Sequence, residues 1–426
     1  MKGPISSTYL KGDRAGWRRC FWPLMLSGLI GEPAMGAMME IRASFRPDPS
    51  NPVQNKFTNE TPVRGHCELQ PVFCKERDLF SLLMPIGFQS VGPIERGHTD
   101  QRKGAMFRVP GDWQRLSVTH SQTQEVAEVE LRIVSIGGRY TLPDTAENLV
   151  GEGPPTSVQG WHTRLWGDWT WAPPAPCQPT GGMYTAPSTR TFFWLTSGTS
   201  VCAARANYPI ATLTYDRMQI GYELRTPNPL NMSSGQYNGQ WTYSVGRGRD
   251  FDMGDIMQPD DSTLTFNFNL NVEHVLKVDL PPGGNQVILE PQGGWQGWLD
   301  RGSKPTALLR DQTFLISASS RFTMKLECEW ELVNGCAIID RQTGIGGVVN
   351  VSVSLPHGLV NSSGQPVSHL PLSRTESAPF QPGFYVDRKP GTLHFEMSER
   401  STSQVVEASA GRPFKGNITV VWDSQV

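Results

Sequence analysis

Apolar and polar residues alternate along several short segments of this chain. In the segment 126–136, apolar residues share one face and charged residues share the other, which is typical of a half-buried β-strand. The segment 263–272 (TLTFNFNLNV) alternates without interruption and predicts the clearest strand in the chain. Further strands are predicted at 38–45, 240–245, 275–280, 286–290, 313–318, 322–330, 348–355, 392–397 and 415–423. The pattern therefore predicts an all-β protein.

Helices and long regular elements are poorly supported by the sequence. The brief apolar stretch 79–86 is the best helix candidate, and residues 143–190 are dense in Pro, Gly, Thr and Trp. Glycine (43 residues) and proline (34 residues) are frequent throughout, and both favour turns. We therefore predict loop with short strands over 143–190 and many short elements elsewhere.

A chain of 426 residues exceeds what one hydrophobic core usually organises. The segment 246–262 is polar, acidic and broken by glycines, which predicts a linker. We therefore expect two β-sandwich domains, at 38–257 and 262–426. The closely spaced short strands of the second half predict a Greek-key sandwich of the broad immunoglobulin-like class.

The first 37 residues have the pattern of an export signal. Basic residues precede an apolar stretch at 21–30 that is too short to span a bilayer, and the small residues of 34–37 (AMGA) would permit cleavage. We predict that residues 1–37 are a signal peptide, with an uncleaved amphipathic tail as the alternative. The protein would then pass through the periplasm.

Six of the seven cysteines lie beyond the predicted signal, and an even number in an exported chain implies disulfides. Sequence alone allows many pairings of six cysteines. Their grouping suggests local pairs, namely Cys67 with Cys74, Cys177 with Cys202, and Cys328 with Cys336. No CxxC motif is present and the histidines do not cluster with cysteines, so no metal site is predicted.

Charge and motifs argue against several classes of function. The formal net charge is −2 and no basic run occurs, which does not favour a nucleic-acid partner. The sequence lacks GxSxG, HExxH, a P-loop and a dinucleotide fingerprint, so we predict neither an enzyme nor a cofactor. A glycosidase needs only two facing carboxylates, so an exported glycan-processing enzyme remains an alternative.

The second half of the chain resembles the pilin domain of fimbrial tip adhesins. An ordered series of segments carries the resemblance: 266–274 (FNFNLNVEH), 281–283 (PPG), 289–299 (LEPQGGWQGWL), 308–314 (LLRDQTF), 322–328 (FTMKLEC) and 414–423 (FKGNITVVWD). Before them, 225–227 (RTP) and 235–239 (GQYNG) resemble the end of the adhesin domain. The family is that of class 5 adhesins and CblD-like initiators of the alternate chaperone–usher pathway, and the resemblance covers about 220–426.

The resemblance implies an assembly mechanism. Pilin domains of this family are immunoglobulin-like sandwiches that lack their last strand, and the sequence printed here ends soon after the predicted strand 415–423. A periplasmic chaperone, and then the major pilin subunit at an outer-membrane usher, would supply a donor strand. On this basis Ile418, Val420 and Trp422 are expected to line or flank the donor-strand groove. The alternative is that 415–423 completes an ordinary sandwich.

The resemblance also implies a receptor, a host cell-surface glycan or protein, bound at the tip of the fimbrium. Aromatic and arginine side chains suit glycans, and family members are thought to use exposed arginines. The candidates for receptor binding are Trp161, Arg164, Trp166, Arg190, Arg217 and Arg225. Trp169 and Trp171 are predicted to be core residues instead. A minor structural pilin without a receptor is the remaining alternative.

Overall fold

A computed structural model describes residues 36–424, except 152, 154–156, 168–172, 182, 333–334 and 410–411. The predicted signal peptide lies outside the described residues apart from its last two positions, 36 and 37. Trp169 and Trp171 lie outside them as well. Within the described part, the chain is built mainly from strands with a few short helices, which confirms the predicted all-β class.

The first half of the described chain contains fifteen strands and four helices. The strands are β1 Ala37–Phe45, β2 Thr58–Asn59, β3 Phe80–Leu83, β4 Phe88–Ser90, β5 Ala105–Phe107, β6 Gln114–His120, β7 Val126–Thr141, β8 Gln178–Pro179, β9 Thr185–Ala186, β10 Thr189–Leu195, β11 Cys202–Ala204, β12 Thr214–Arg225, β13 Gly235–Ser244, β14 Met257–Pro259 and β15 Thr263–Val272. The helices are α1 His66–Leu69, α2 Pro71–Lys75, α3 Ala146–Val150 and α4 Val158–Trp166.

The second half contains eleven strands and two helices among the described residues. The strands are β16 Leu276–Asp279, β17 Leu308–Ala318, β18 Phe322–Cys328, β19 Glu331–Leu332, β20 Gly335–Ile339, β21 Gly346–Ser354, β22 Leu359–Asn361, β23 Leu370–Pro371, β24 Ala378–Pro382, β25 Val386–Met397 and β26 Ile418–Ser424. The helices are α5 Gln296–Arg301 and α6 Glu399–Ala408.

One large sheet organises the first half. Its main strand order is β14-β4-β12-β7-β6-β13-β15-β1-β2, with β3 beside β12 and β10 beside β7. The long strands alternate buried and exposed positions, so their inward-facing residues form one hydrophobic cluster, the first core. β1 runs parallel to β15 from Ala37 opposite Leu264 to Phe45 opposite Val272.

The strand predicted to begin the second domain belongs to the first sheet instead. β15 lies between β13 and β1, and Leu264, Phe266 and Phe268 are buried in the first core. The alternation predicted this strand correctly but not the strands that pair with it. Side chains alternate between the two faces of a strand in the same way whichever sheet the strand belongs to. We therefore place the boundary between the two cores after Val272 rather than at 257–262.

The predicted linker 246–262 is folded onto the first core, so the prediction of a solvated linker is wrong. Phe251, Met253 and Met257 are buried there. The Asp252 carboxylate, with a side chain 1% exposed, accepts hydrogen bonds at 2.9 and 3.1 Å from the Arg102 guanidinium. These bonds raise the pKa of Arg102 further above its ordinary value. A charged partner from a distant segment thus makes burial of this acidic stretch possible.

Two sheets enclose a second, separate core in the second half. One sheet has the order β16-β17-β25-β21-β20-β19, with β23 beside β21, and the other has the order β22-β24-β18-β26. Their buried residues, among them Phe314, Phe322 and Met324, form the second core. Helix α6 contributes Val405 to this cluster. This sandwich agrees with the predicted architecture, while its immunoglobulin-like topology and the missing last strand stay predictions.

The predicted helix at 79–86 is wrong, because residues 80–83 form β3 and pair with β12. Conversely, the region 143–190 contains α3 and α4, which the sequence analysis assigned to loop and short strands. A short apolar run is compatible with either a strand or a helix. In the segment 80–83, the backbone hydrogen bonds to β12 favour the strand. Ser157 caps α4, since its hydroxyl accepts a hydrogen bond from the Gly160 N–H at 3.2 Å.

The three predicted local cysteine pairs are confirmed as disulfides. Cys67–Cys74 joins α1 to α2, and Cys328–Cys336 joins β18 to β20. Cys177–Cys202 ties the segment before β8 to β11. Each disulfide therefore joins two elements that are close in the sequence.

Candidate functional site

Three arginines from distant segments surround one surface cleft in the first half. Arg96, Arg164 and Arg205 line a cavity of about 560 Å³ together with Gly97, Asn207 and Tyr208. Among the residues that the structure describes, none of the three guanidinium groups lies within ion-pair distance of a carboxylate. We name this feature the arginine cleft; its side chains concentrate positive charge at one place on the surface.

Helix α4 positions Arg164. Its buried residues Trp161, Leu165 and Trp166 recur at helical spacing and face the first core. Arg164 therefore lies on the opposite side, half-buried, with its guanidinium carbon 5.7 Å from the centre of the Trp161 ring. The buried aromatic residues of this segment thus hold the helix against the first core, and Arg164 extends from the helix into the cleft.

The segment 205–208 is fastened to the end of α4 by backbone bonds. The Asn207 N–H donates to the Leu165 carbonyl at 2.8 Å, and the Asn207 side-chain amide donates to the Arg164 carbonyl at 3.0 Å. These bonds satisfy carbonyls that the helix end leaves free. The guanidinium carbon of Arg96 lies 5.9 Å from the Tyr208 ring, which brings the third segment to the same cleft.

Gly97 allows the close approach of Arg205. Its N–H donates to the Ala206 carbonyl at 2.9 Å, and its φ of +66° lies in the left-handed region. A Cβ at this position would stand 2.9 Å from a guanidinium nitrogen of Arg205. The backbone conformation therefore favours a glycine here, and the absence of a Cβ leaves room for the Arg205 guanidinium where it lies.

The chemistry of the arginine cleft suits an anionic, hydroxyl-rich ligand. Guanidinium groups bind carboxylate, sulfate or phosphate oxygens through two parallel hydrogen bonds. The Asn207 amide and the Tyr208 ring add polar and aromatic surface of the kind that holds sugars. Its volume of about 560 Å³ lies in the range of small-ligand sites.

Three of the six predicted receptor residues are in the protein interior. Trp161 and Trp166 have side chains 7% and 4% exposed, and Arg190 is fully buried next to Tyr140 in the β10–β7 pairing. Burial lowers the pKa of Arg190 from its ordinary value. The prediction that these residues lie at the surface is therefore wrong, because α4 and β10 turn them toward the first core.

The other three predicted arginines are half-buried (Arg164) or exposed (Arg217 and Arg225), and they do not share one site. Arg164 lines the arginine cleft, whereas Arg217 lies at a bulge of β12 with φ of +46°. Arg225 stacks on Trp113 at 3.9 Å and forms an ion pair with Glu130 at 3.3 Å. Arg225 is thus held by surface neighbours, and neither Arg217 nor Arg225 lines the cleft.

Sequence reasoning missed Arg96, Arg205 and Tyr208. Each is an isolated residue in an irregular segment, and the three segments meet only through long-range backbone bonds such as the one between Gly97 and Ala206. No periodicity or motif in the sequence predicts that these three segments lie next to one another. The Ser157 cap and the apolar spacing of α4, by contrast, are local signals that could have indicated the helix presenting Arg164, although loop with short strands is the prediction for this segment.

The predicted donor-strand residues lie on β26, at the edge of a sheet. β26 pairs with β18, and Ile418, Val420 and Trp422 point toward the second core while remaining half-buried. The Trp422 ring lies 5.0 Å from Phe314 and 5.9 Å from Phe322. Among the described residues, no strand pairs with the other edge of β26. An apolar strip therefore adjoins a row of unpaired backbone groups.

The described residues contain neither a membrane-spanning helix nor a cluster of metal-binding side chains. No helix in the described ranges has the length and apolar character needed to span a membrane. Within the same ranges, no three His, Cys, Asp or Glu side chains gather in a group that could hold a metal ion.

Comparison with known proteins gave matches of structure alone. No family model matches the sequence, and no curated protein matches it. A chaperone–tip adhesin complex of CFA/I fimbriae matches at 11% identity and a TM-score of 0.25, covering 92% of this chain and 97% of that one. CfaE, the adhesive subunit of CFA/I fimbria of enterotoxigenic Escherichia coli, matches at 10% identity and a TM-score of 0.26, covering 92% and 93%.

A third match is with the CsuC–CsuE chaperone–tip adhesin complex of archaic Csu pili from Acinetobacter baumannii. Its identity is 10% and its TM-score 0.23, with coverage of 91% of this chain and 98% of that one. These structural neighbours are tip adhesins of chaperone–usher fimbriae, the class of protein that the second half of the sequence resembles.

Proposed function

We propose that this chain is a tip adhesin of a chaperone–usher fimbrium, exported through the periplasm and displayed at the cell surface. Its second half accepts a donor strand, first from a periplasmic chaperone and then, at an outer-membrane usher, from the next pilin subunit. Its first half binds an acidic glycan of a host cell. The observation that carries the proposal is the half-covered apolar face of β26.

The edge of β26 needs a partner for physical reasons. An edge strand with apolar side chains and unpaired N–H and C=O groups promotes aggregation. A donor strand would form backbone hydrogen bonds along this edge and cover Ile418, Val420 and Trp422. Burial of apolar surface contributes about 25 cal/mol per Å², so covering three large side chains stabilises the second core substantially.

The donor-strand proposal is tested by fusing a flexible linker and an alternating apolar strand after Val426. Expressed in the periplasm, the fused chain should stay soluble and unfold cooperatively at a higher temperature than the unfused chain. The control carries the same strand with its inward apolar residues replaced by serine, which should give no gain. Equal solubility and stability without any added strand would contradict the proposal.

The arginine cleft supports a receptor that carries a carboxylate or a sulfate. Replacing Arg164 or Arg205 by Ala should weaken binding to sialylated or sulfated glycans about tenfold or more, since charge-assisted hydrogen bonds contribute about 1.5–3 kcal/mol. Arg217→Ala, an exposed arginine outside the cleft, is the matched control. Equal losses in all three variants would show that the cleft is not the binding site.

Two outcomes would point to the other functions that the sequence allows. Binding to no glycan or cell surface, with normal assembly into fimbriae, would indicate a minor structural pilin. Cleavage of a bound glycan would indicate a glycan-processing enzyme. Adhesion through the arginine cleft requires neither a reaction nor a cofactor.

A further inference from the structure

Three polar residues on neighbouring strands of the second half form a continuous chain of hydrogen bonds. The Ser354 hydroxyl lies 2.8 Å from Nε2 of His394, and Nδ1 of His394 lies 2.7 Å from a carboxylate oxygen of Asp311. A carboxylate only accepts hydrogen bonds, so Nδ1 carries the proton and donates it to Asp311. Nε2 is then the acceptor for the Ser354 hydroxyl. We name this group the serine triad.

The sheet places the three residues together without the help of any loop. They lie on β21, β25 and β17, which are adjacent strands, and Asp311 is directly opposite His394 in the register. Ser354 is opposite Thr392, one position along the same face from His394. The group lies on the outer face of the sheet, with the Asp311 side chain 67% exposed and the His394 side chain 14% exposed.

His369 completes the surroundings of Ser354. Its ring stacks on His394 at a centroid distance of 3.9 Å, which fixes the orientation of that imidazole. Its backbone N–H donates to the Ser354 hydroxyl oxygen at 3.0 Å. His369 holds φ of +48°, a conformation that costs a non-glycine residue free energy and that clusters at functional sites.

We propose that the serine triad makes Ser354 a nucleophile that cleaves small, accessible esters. A hydroxyl bonded to an imidazole, which is in turn oriented by a carboxylate, is the arrangement by which proteins activate serine. This activity goes beyond adhesion, and it involves residues of neither the arginine cleft nor β26. The chain would thus carry a reactive serine on its second half and a receptor site on its first.

The reaction proceeds in two balanced steps. Ser354 Oγ attacks the carbonyl carbon of the ester while its proton passes to Nε2 of His394. The ester oxygen leaves with that proton as an alcohol, and the acyl group remains on Ser354. Water then attacks the acyl carbon after giving a proton to His394, and the carboxylic acid departs as the proton returns to Ser354.

In the resting arrangement the His369 N–H donates to Ser354 Oγ itself, so it reaches the oxyanion of each step only when the carbonyl oxygen of the substrate displaces that bond. A single backbone donor gives less stabilisation than the usual pair. We therefore expect slow turnover of activated esters, with a measurable acyl-enzyme or a stable adduct with phosphorus-based inhibitors.

The proposal is tested by incubating the full exported chain with a fluorophosphonate probe and locating the adduct by mass spectrometry. Ser354 should be labelled, and His394→Gln should slow labelling by about 100-fold, since removing a general base has effects of that order. Asp311→Asn should slow it by at least about tenfold. Thermal unfolding of each variant verifies that these exposed-face changes leave the fold intact.

Ser352 is an internal control, because it occupies the same strand and face directly opposite His394. Ser352→Ala should leave labelling and the hydrolysis of p-nitrophenyl acetate unchanged. Labelling of Ser352 and Ser354 at similar rates, or labelling of Ser354 that is unaffected by His394→Gln, would overturn the proposal and reduce the triad to a structural hydrogen-bond ladder. Glycan binding is measured in parallel and is expected to be normal in every triad variant.

Discussion

At the scale of single residues, the buried histidine His66 links the stability of the fold to pH. His66 is 3% exposed, and its ring stacks on Phe193 at 4.2 Å, next to the Cys67–Cys74 disulfide. Burial lowers the pKa of His66 to about 4, because a charged imidazole would lose its hydration there. His66 is therefore neutral in the folded protein at neutral and mildly acidic pH.

This lowered pKa predicts a loss of stability in acid. In the unfolded chain a histidine gains its proton near pH 6.5, whereas folded His66 resists protonation until about pH 4. The free energy of unfolding should therefore fall as the pH drops from 6.5 to 4, by about 3 kcal/mol, since one pKa unit corresponds to about 1.4 kcal/mol. Urea unfolding across this pH range measures the effect.

The variant His66→Phe should flatten that dependence, because it keeps a stacked ring but removes the titrating group. His357→Phe is the matched control, since His357 is exposed and also contacts a phenylalanine ring, that of Phe384. A pH dependence that persists unchanged in His66→Phe would show that other groups dominate the acid response.

At the scale of elements, the sequence predicted the existence of strands better than their partners. The alternation in 263–272 is sufficient to predict β15, but its parallel pairing with β1 depends on residues more than two hundred positions away. For helix α4, the local signals were sufficient but the element was not predicted. Its cap and apolar spacing were present locally, yet the surrounding glycines and prolines indicated loop.

The candidate site was predictable only in part for the same reason. Arg164 could be proposed from its segment, but Arg96 and Arg205 join it through contacts between irregular segments that no local pattern encodes. The tryptophans beside Arg164 were misplaced because an aromatic-rich segment suits both a core and a sugar site. Only the helical period, which turns Trp161 and Trp166 inward, shows that these tryptophans belong to the core and not to a sugar site.

The two faces of β26 give a sharp prediction at this scale. Val420 faces the second core and is half-buried, whereas Thr419 points outward and is exposed. Val420→Lys should abolish stabilisation by a fused donor strand, because a charge would then face the apolar strip. Thr419→Lys should leave that stabilisation within about 0.5 kcal/mol of the parent, as is usual for surface changes.

The measurement is the shift in thermal midpoint on adding the donor strand to each variant. If Val420→Lys and Thr419→Lys respond equally to the donor strand, the inward face of β26 does not line its binding groove.

At the scale of the whole molecule, the two cores meet around His274, two residues beyond β15. One ring nitrogen of His274 hydrogen-bonds the Met232 carbonyl at 2.9 Å, and the other hydrogen-bonds the Ser319 hydroxyl at 3.1 Å. Arg321 adds a longer bond to the Asn231 carbonyl at 3.4 Å. These polar contacts, together with the Phe45 ring at 5.7 Å from the His274 ring, help to join the two halves.

Weakening this junction should uncouple the two halves. His274→Ala removes both bonds and should split a single calorimetric unfolding transition into two, because coupling between cores sustains cooperativity. His357→Ala, which changes an exposed histidine, should leave one transition. A single transition that persists in His274→Ala would show that other contacts hold the halves together.

The proposed function requires that the second core is open along β26. Amide hydrogen exchange, with and without a donor-strand peptide added to the purified chain, measures this openness. We predict that the β26 amides pointing away from β18 exchange rapidly alone and slow by about 100-fold or more with the peptide, because new backbone bonds protect them. Slow exchange of these amides without the peptide, or no change on adding it, would contradict the proposed function.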